Sequence, residues 1–139
     1  MFLGQFAHAV DAKGRVFVPA KYREELGDTF VVTCGTAKCL AVYPMPKWTE
    51  FTAKIEELPQ AQAAKIRRHI FANASDVSVD AQGRINLAQN LRDYAGIAKN
   101  AVVLGLGSYL EIWSEEDWKA ESEAESAEEV NDLMIALGC

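Results

Sequence analysis

Hydrophobic and polar positions alternate from the start of the chain: Phe2, Gly4, Phe6, His8 and Val10 share one parity, and Leu3, Gln5, Ala7 and Ala9 the other. A period of two predicts a strand over residues 3–10. The alternation resumes after a break, with Val16 and Val18 on one face and Arg15 and Phe17 on the other. Between them, Asp11-Ala12-Lys13-Gly14 places a hydrogen-bond acceptor first and a residue tolerant of positive φ fourth. The segment therefore reads as a tight β-hairpin with a bulge at Gly14. Pro19 and Gly27 punctuate a short helix. Apolar runs over residues 30–35 and 39–43 predict two buried strands. Beyond them the period lengthens: Pro46 opens a helix at its first position, Trp48 follows, and Pro59 interrupts it. Residues 60–72 then resume with Ala63, Ile66 and Ile70 on one face.

The same order of patterns then recurs. Asp80-Ala81-Gln82-Gly83-Arg84-Ile85-Asn86-Leu87-Ala88 repeats Asp11-Ala12-Lys13-Gly14-Arg15-Val16-Phe17-Val18-Pro19 at an offset of 69, and Val10 with Val79, Arg23 with Arg92 and Gly27 with Gly96 keep that offset. In the second copy Ile85 and Leu87 face the core, so Arg84 is the counterpart of Arg15. Apolar runs over 101–105 and 109–113 match the earlier pair at an offset of 70, aligning Gly35 with Gly105, Leu40 with Leu110 and Tyr43 with Trp113. Trp118 follows as Trp48 does, behind Ser114-Glu115-Glu116-Asp117, which resembles a capping box. Half of the chain alone would be marginal, so a repeat of about 70 residues makes two parts of one pseudo-symmetric body.

Composition modifies this picture at one point, the charge. The 139 residues carry a net charge of −6, which on its face argues against a nucleic-acid partner. Residues 115–139, however, hold nine acids and a single Lys, leaving 13 basic against 11 acidic residues in the rest. The overall charge is therefore a poor guide to partners, since a local basic surface is what DNA binding requires. Residues 121–129 predict an exposed acidic helix. Beyond it Val130, Leu133, Met134 and Leu137 form an apolar stripe that must dock on the chain's own body or on a neighbouring subunit. Lys65, Arg67 and Arg68 read as a solvated or ion-paired helix face rather than as phosphate contacts. No apolar run reaches the roughly 18 residues that span a membrane, and Met1-Phe2-Leu3-Gly4 lacks the charged start of a secretory signal. The expectation is a cytoplasmic protein with no membrane partner.

Catalytic and metal chemistry find little support. Cys34, Cys39 and Cys139 are an odd set without short paired spacing, and the histidines are only His8 and His69. The cysteines are expected to act as small apolar side chains, with no disulfide and no metal site. Gly105-Leu106-Gly107-Ser108 lacks the continuation of a phosphate-binding motif and reads as a turn between strands. Asp11 and Asp80 could form a shared-proton carboxylate pair, in which one pKa would rise, but the hairpin reading accounts for both without catalysis. No enzyme, cofactor or small-molecule substrate is expected.

The paired Asp-x-x-Gly-Arg hairpins, Pro19-Ala20-Lys21-Tyr22-Arg23, Arg67-Arg68-His69-Ile70-Phe71-Ala72 and Ile112-Trp113 before Trp118 together resemble the MraZ family of bacterial transcriptional regulators, over essentially the whole chain. The resemblance implies an α+β fold, a pseudo-two-fold swapped-hairpin barrel of the AbrB-like class with peripheral helices, built from two internal repeats in one chain. Its parts would be a first repeat over 5–47, a helical connector over 48–75, a second repeat over 76–119 and an acidic helical tail over 120–139. It implies sequence-specific binding of double-stranded DNA, in the cytoplasm at the nucleoid, by a ring-shaped homo-oligomer. The target would be tandem short G-rich boxes in the promoter of the protein's own division and cell-wall gene cluster. The family's Asp-x-x-x-Arg motif maps onto Asp11 with Arg15 and onto Asp80 with Arg84. Arg15, Arg84 and Lys13 are then expected to meet DNA, while Asp11, Gly14, Asp80 and Gly83 hold the turns. Arginine forks suit guanine O6 and N7, and a two-stranded ribbon fits the major groove. The alternative is an oligomeric protein-binding module of the same fold, antitoxin-like or a scaffold ring, acting through Leu133 and Leu137.

Overall fold

A computed structural model describes all 139 residues. The first half contributes β1 (Phe2–Ala9), β2 (Arg15–Phe17), α1 (Ala20–Leu26), β3 (Phe30–Cys34), β4 (Leu40–Pro44) and α2 (Met45–Glu56). Helix α3 (Gln60–Ile70) leads into β5 (Ser75–Val77), β6 (Arg84–Asn86), α4 (Gln89–Ala95), β7 (Asn100–Gly107) and β8 (Leu110–Ser114), followed by α5 (Glu115–Ala124) and α6 (Ala127–Ala136).

The strands are exchanged between the halves. β1 pairs with β7, β5 with β3, and β2 with β6, so three short or edge strands find their partners in the other repeat. All pairings are antiparallel, giving a six-stranded sheet in the order β1-β7-β8-β4-β3-β5 and a separate β2–β6 ribbon. The hairpin expected around each motif is accordingly reduced. Val10 and Val16 share one isolated bridge, and β2 takes its ladder from the opposite half. The fold is mixed α+β with antiparallel sheets. Backbone pairing closes no barrel: β1 and β5 remain edges, because the three-residue strands β2, β5 and β6 are too short to carry a ladder around the molecule.

Strand registers correct one alignment. Phe6, Ala7 and His8 face Val103, Val102 and Ala101, whereas their repeats Ser75, Asp76 and Val77 face Val32, Val31 and Phe30. β7 therefore matches β3 at an offset of 71, with Gly105 standing where Cys34 does rather than where Gly35 does. The β3–β4 and β7–β8 registers agree, since Cys34 faces Leu40 and Gly105 faces Leu110. Two residues are inserted between Gly96 and β7 and one is missing from the following turn, so a comparison at a constant offset of 70 slips by one across the strand.

A single core of 20 buried residues joins the halves: Val16, Val18, Tyr22 and Phe30 pack with Ile85, Leu87, Leu91 and Val103. Neither half has this core alone, and burial of it is the main force holding them together. The outer face of the sheet carries aromatic layers that repeat, Tyr43 with Trp48 at 5.8 Å and Trp113 with Trp118 at 5.6 Å between ring centroids. Helix α2 begins at Met45, with Pro46 in its second position rather than its first. The acidic helix expected over 121–129 is broken at Glu125, whose ψ of 117° is extended. Ser126 Oγ then accepts from the Glu129 backbone N–H at 3.1 Å and caps a new helix, α6. No helix is long and apolar enough to cross a membrane.

Candidate nucleic-acid interface

Each motif builds its turn around one carboxylate. Asp11 Oδ1 accepts from the backbone N–H groups of Lys13 at 3.0 Å and Arg15 at 2.8 Å, and its other oxygen accepts from Arg15 Nε at 2.7 Å. Asp80 repeats this with Gln82 N at 2.9 Å, Arg84 N at 2.9 Å and Arg84 Nε at 3.0 Å. The backbone N–H of Arg15, opposed in part by desolvation and aided by its side chain, holds the Asp11 carboxyl below the usual range. Arg84 does the same for Asp80. A shared-proton pair would push one of the two upward, so the geometry is that of two turn anchors.

Gly14 and Gly83 close the turns with φ of 81° and 83°, the left-handed region that favours glycine. Their missing side chains also make room for an arginine from the other half. Arg92 lies against Gly14, where a Cβ would stand 2.5 Å from its guanidinium carbon, and Arg23 lies against Gly83 in the same way. Arg23 Nε donates to Val18 O and Arg92 Nε to Leu87 O, each at 2.9 Å, and the Arg23 guanidinium covers the Phe17 ring at 4.6 Å. Reciprocal backbone bonds, Val18 N–H to Gly83 O and Leu87 N–H to Gly14 O, lock the turns across the pseudo-two-fold. Arg23 and Arg92 thus pack against the turns of the opposite half, each tied through Nε to a backbone carbonyl.

The β2–β6 ribbon brings the two motifs side by side. Arg15 stands opposite Asn86 and Arg84 opposite Phe17, all on the outer face, while Val16 and Ile85 fill the core beneath. Arg84 Nη1 lies 3.6 Å from Asp11 Oδ2, so Asp11 reaches both arginines. Arg84 Nη2 donates to Gln82 Oε1 at 3.0 Å, whereas Arg15 Nη1 and Nη2 have no partner in the protein. Lys13 is exposed at the first turn and forms no ion pair. With Lys13, Arg15 and Arg84 set against Asp11 and Asp80, the ribbon face carries a small excess of positive charge, and the unpaired donors on it are those of Lys13 and the Arg15 η nitrogens.

The remaining candidates sit apart from it. Cys34 and Cys39 are buried on opposite faces of the sheet, and desolvation, reinforced by Glu111, raises the Cys39 thiol to about 12. Both act as apolar fillers, but Cys139 is exposed, contrary to expectation, because α6 carries it away from the body. His8 packs its ring 5.3 Å from Phe17. Arg67 pairs with Glu56 at 2.7 Å, while Lys65 and Arg68 have no acidic partner.

Comparison with known proteins adds an independent observation. The sequence model of one family, the MraZ protein, described as antitoxin-like, matches this chain twice, over residues 1–68 and 70–135. Proteins named transcriptional regulator MraZ are similar along nearly the whole length. That of Natranaerobius thermophilus is 46% identical over 143 residues, covering 97% of this chain and 100% of its own. That of Desulforamulus reducens is 46% identical over 142 residues, covering 96% and 100%. That of Lachnoclostridium phytofermentans is 43% identical over 139 residues, covering 99% and 98%.

Proposed function

The chain belongs to the MraZ family of transcriptional regulators, a non-enzymatic family, and from that premise we propose that the β2–β6 ribbon is its DNA-reading surface. The observation that carries this is the orientation of Arg15. Its Nε is held by Asp11 and both η nitrogens are left without a partner. That is the arrangement a guanidinium needs to present two parallel donors to guanine O6 and N7, because the carboxylate fixes the plane before binding and reduces the entropic cost of docking. Arg84 supplies a second contact and Lys13 a phosphate contact.

The target is a set of tandem short G-rich boxes in the promoter of the protein's own division and cell-wall gene cluster, read at the nucleoid in the cytoplasm. One protomer offers few cations, so the protein acts as a ring-shaped homo-oligomer whose repeated ribbons face repeated boxes and gain avidity. The fold is the swapped-hairpin, AbrB-like class. The exchange of β1, β2 and β5 between halves supports it, with repeats over 5–47 and 76–119, a connector over 48–75 and a tail over 120–139.

Fluorescence anisotropy against a labelled upstream duplex and a scrambled control, titrated across salt, tests the reading. Specific binding that disappears in Arg15→Ala/Arg84→Ala supports it. Indifference to sequence at every salt concentration, with oligomers intact, replaces it with the protein-binding module.

A further inference from the structure

Helix α6 carries an apolar stripe that its own chain leaves largely exposed. Val130 is 42% exposed, Leu133 68%, Met134 47% and Leu137 81%. Glu129 and Asp132 lie along one side of that stripe, and the segment from Glu115 onward holds nine acids against one Lys. Solvent exposure of four large apolar side chains on one helix face is unfavourable by the area they leave uncovered.

A surface of complementary character lies on the other side of the molecule's charge distribution. Between α3, the β3–β4 turn and α4 is an open groove of about 480 Å³ whose apolar floor includes Phe51, Ile66 and Ile70. Lys65 and His69 line it, Arg68 adjoins it on α3, and neither Lys65 nor Arg68 has an acidic partner within the chain. Tyr94 forms the far wall, fixed by its hydroxyl, which donates to Ala37 O at 3.1 Å. An amphipathic acidic helix satisfies both halves of this surface, apolar side chains entering the floor and carboxylates meeting the cationic rim.

We propose that α6 of one protomer docks in the α3–α4 groove of a second copy of the chain. The inference rests on the homo-oligomer reading above and names the contact that builds it. A helix given on one side and a groove offered on another make a heterologous, head-to-tail interface, which closes into a ring when the rotation per step divides a full turn. It also keeps the acidic tail on the interface side and leaves the ribbon free.

The test is complementation between full-length variants, followed by light scattering after size exclusion. Leu133→Asp/Leu137→Asp removes the helix anchors, and Lys65→Glu/Arg68→Glu reverses the exposed rim without touching the half-buried floor. Each alone should be a folded monomer, with self-association weakened on the order of a hundredfold for the helix variant. Mixed, they should form a 1:1 heterodimer and nothing larger, because one chain brings an intact groove and the other an intact helix. Adding Glu129→Lys/Asp132→Lys to the rim variant should restore its own assembly. If either variant still assembles alone, or the mixture stays monomeric, the docking assignment is overturned while a ring built through another surface stands. A wild-type chain that is monomeric at every concentration overturns the homo-oligomer reading and this inference with it.

Discussion

At the first turn Asp11 engages Arg15 through Nε at 2.7 Å, and nothing in the chain engages the η nitrogens. At the second, Asp80 takes Arg84 Nε at 3.0 Å, Gln82 Oε1 takes Nη2 at 3.0 Å, and Asp11 approaches Nη1 at 3.6 Å. The two backbone frames are copies, yet one arginine is open and the other is largely saturated. The hydrogen-bonded part of the difference follows from a single position of the repeat, Lys13 against Gln82. Lysine cannot accept a hydrogen bond, so it leaves the neighbouring guanidinium free and adds a charge of its own. Glutamine accepts one and withdraws a donor from the surface. Duplication preserved the support and differentiated the offering.

The largest expected effects come from the arginines. Arg15→Ala should remove about 1–3 kcal/mol of discrimination at the base it reads, measured by anisotropy on duplexes carrying single-base changes. Arg84→Ala should cost less, because its fork must first release Gln82. Equal losses would break the comparison at its main point. Stability should behave in the opposite way, equally in both halves. Gly14→Ala and Gly83→Ala each force a side chain into the left-handed region and against an arginine already bonded to a backbone carbonyl. Each should lower the urea-unfolding free energy by roughly 1–3 kcal/mol. Adding Arg92→Ala to Gly14→Ala should relieve the collision and leave the backbone strain.

Those turns were legible in the sequence because their chemistry is local: an acceptor first, a glycine fourth and an arginine fifth, stated twice. What they pair with was not. The hydrophobic alternation of residues 15–18 is the same whether β2 bonds to β1 or to β6, since period two fixes which face is buried and says nothing of the neighbour. The placement of Arg23 and Arg92 beneath the opposite turns was hidden for the same reason. The slip at β7 arose because Gly35 and Gly105 invite alignment, whereas register is set by which residues face Phe6 and Ser75 across the sheet. The break at Glu125 was visible in principle, as Ser126-Ala127-Glu128-Glu129 has capping-box spacing, but an alanine- and glutamate-rich stretch propagates helix strongly enough to mask it.

A smaller effect separates the two aspartates. Both carboxyls are depressed in the folded protein, so they bind protons less readily there than in the unfolded chain. Their contribution to stability is present above the unfolded carboxylate pKa and is lost as pH falls through the lower folded value. From neutrality down to the ordinary carboxylate range this contribution should not change. Below it the unfolding midpoint should fall, and Asp11→Asn or Asp80→Asn should flatten that acid limb. In DNA binding the two should differ. Asp11→Asn loosens both arginines and Asp80→Asn only one, so Asp11→Asn should shift the affinity further at neutral pH.

The smallest effect isolates the position that makes the turns unlike. Lys13→Gln removes a solvated cation and gives the first turn the acceptor present in the second. If Lys13 neutralises one phosphate, the slope of log K against log salt should become shallower by about 0.9. Arg15 should also read its base less well, as the introduced amide competes for an η nitrogen. The reciprocal Gln82→Lys should steepen the slope and, by freeing Arg84 Nη2, bring Arg84→Ala closer in cost to Arg15→Ala. The two responses are separable because salt dependence counts charges, whereas base discrimination reports donor geometry. A Lys13→Gln protein with an unchanged salt slope but altered base preference would make Lys13 a base contact and transfer part of the reading from Arg15 to the tip.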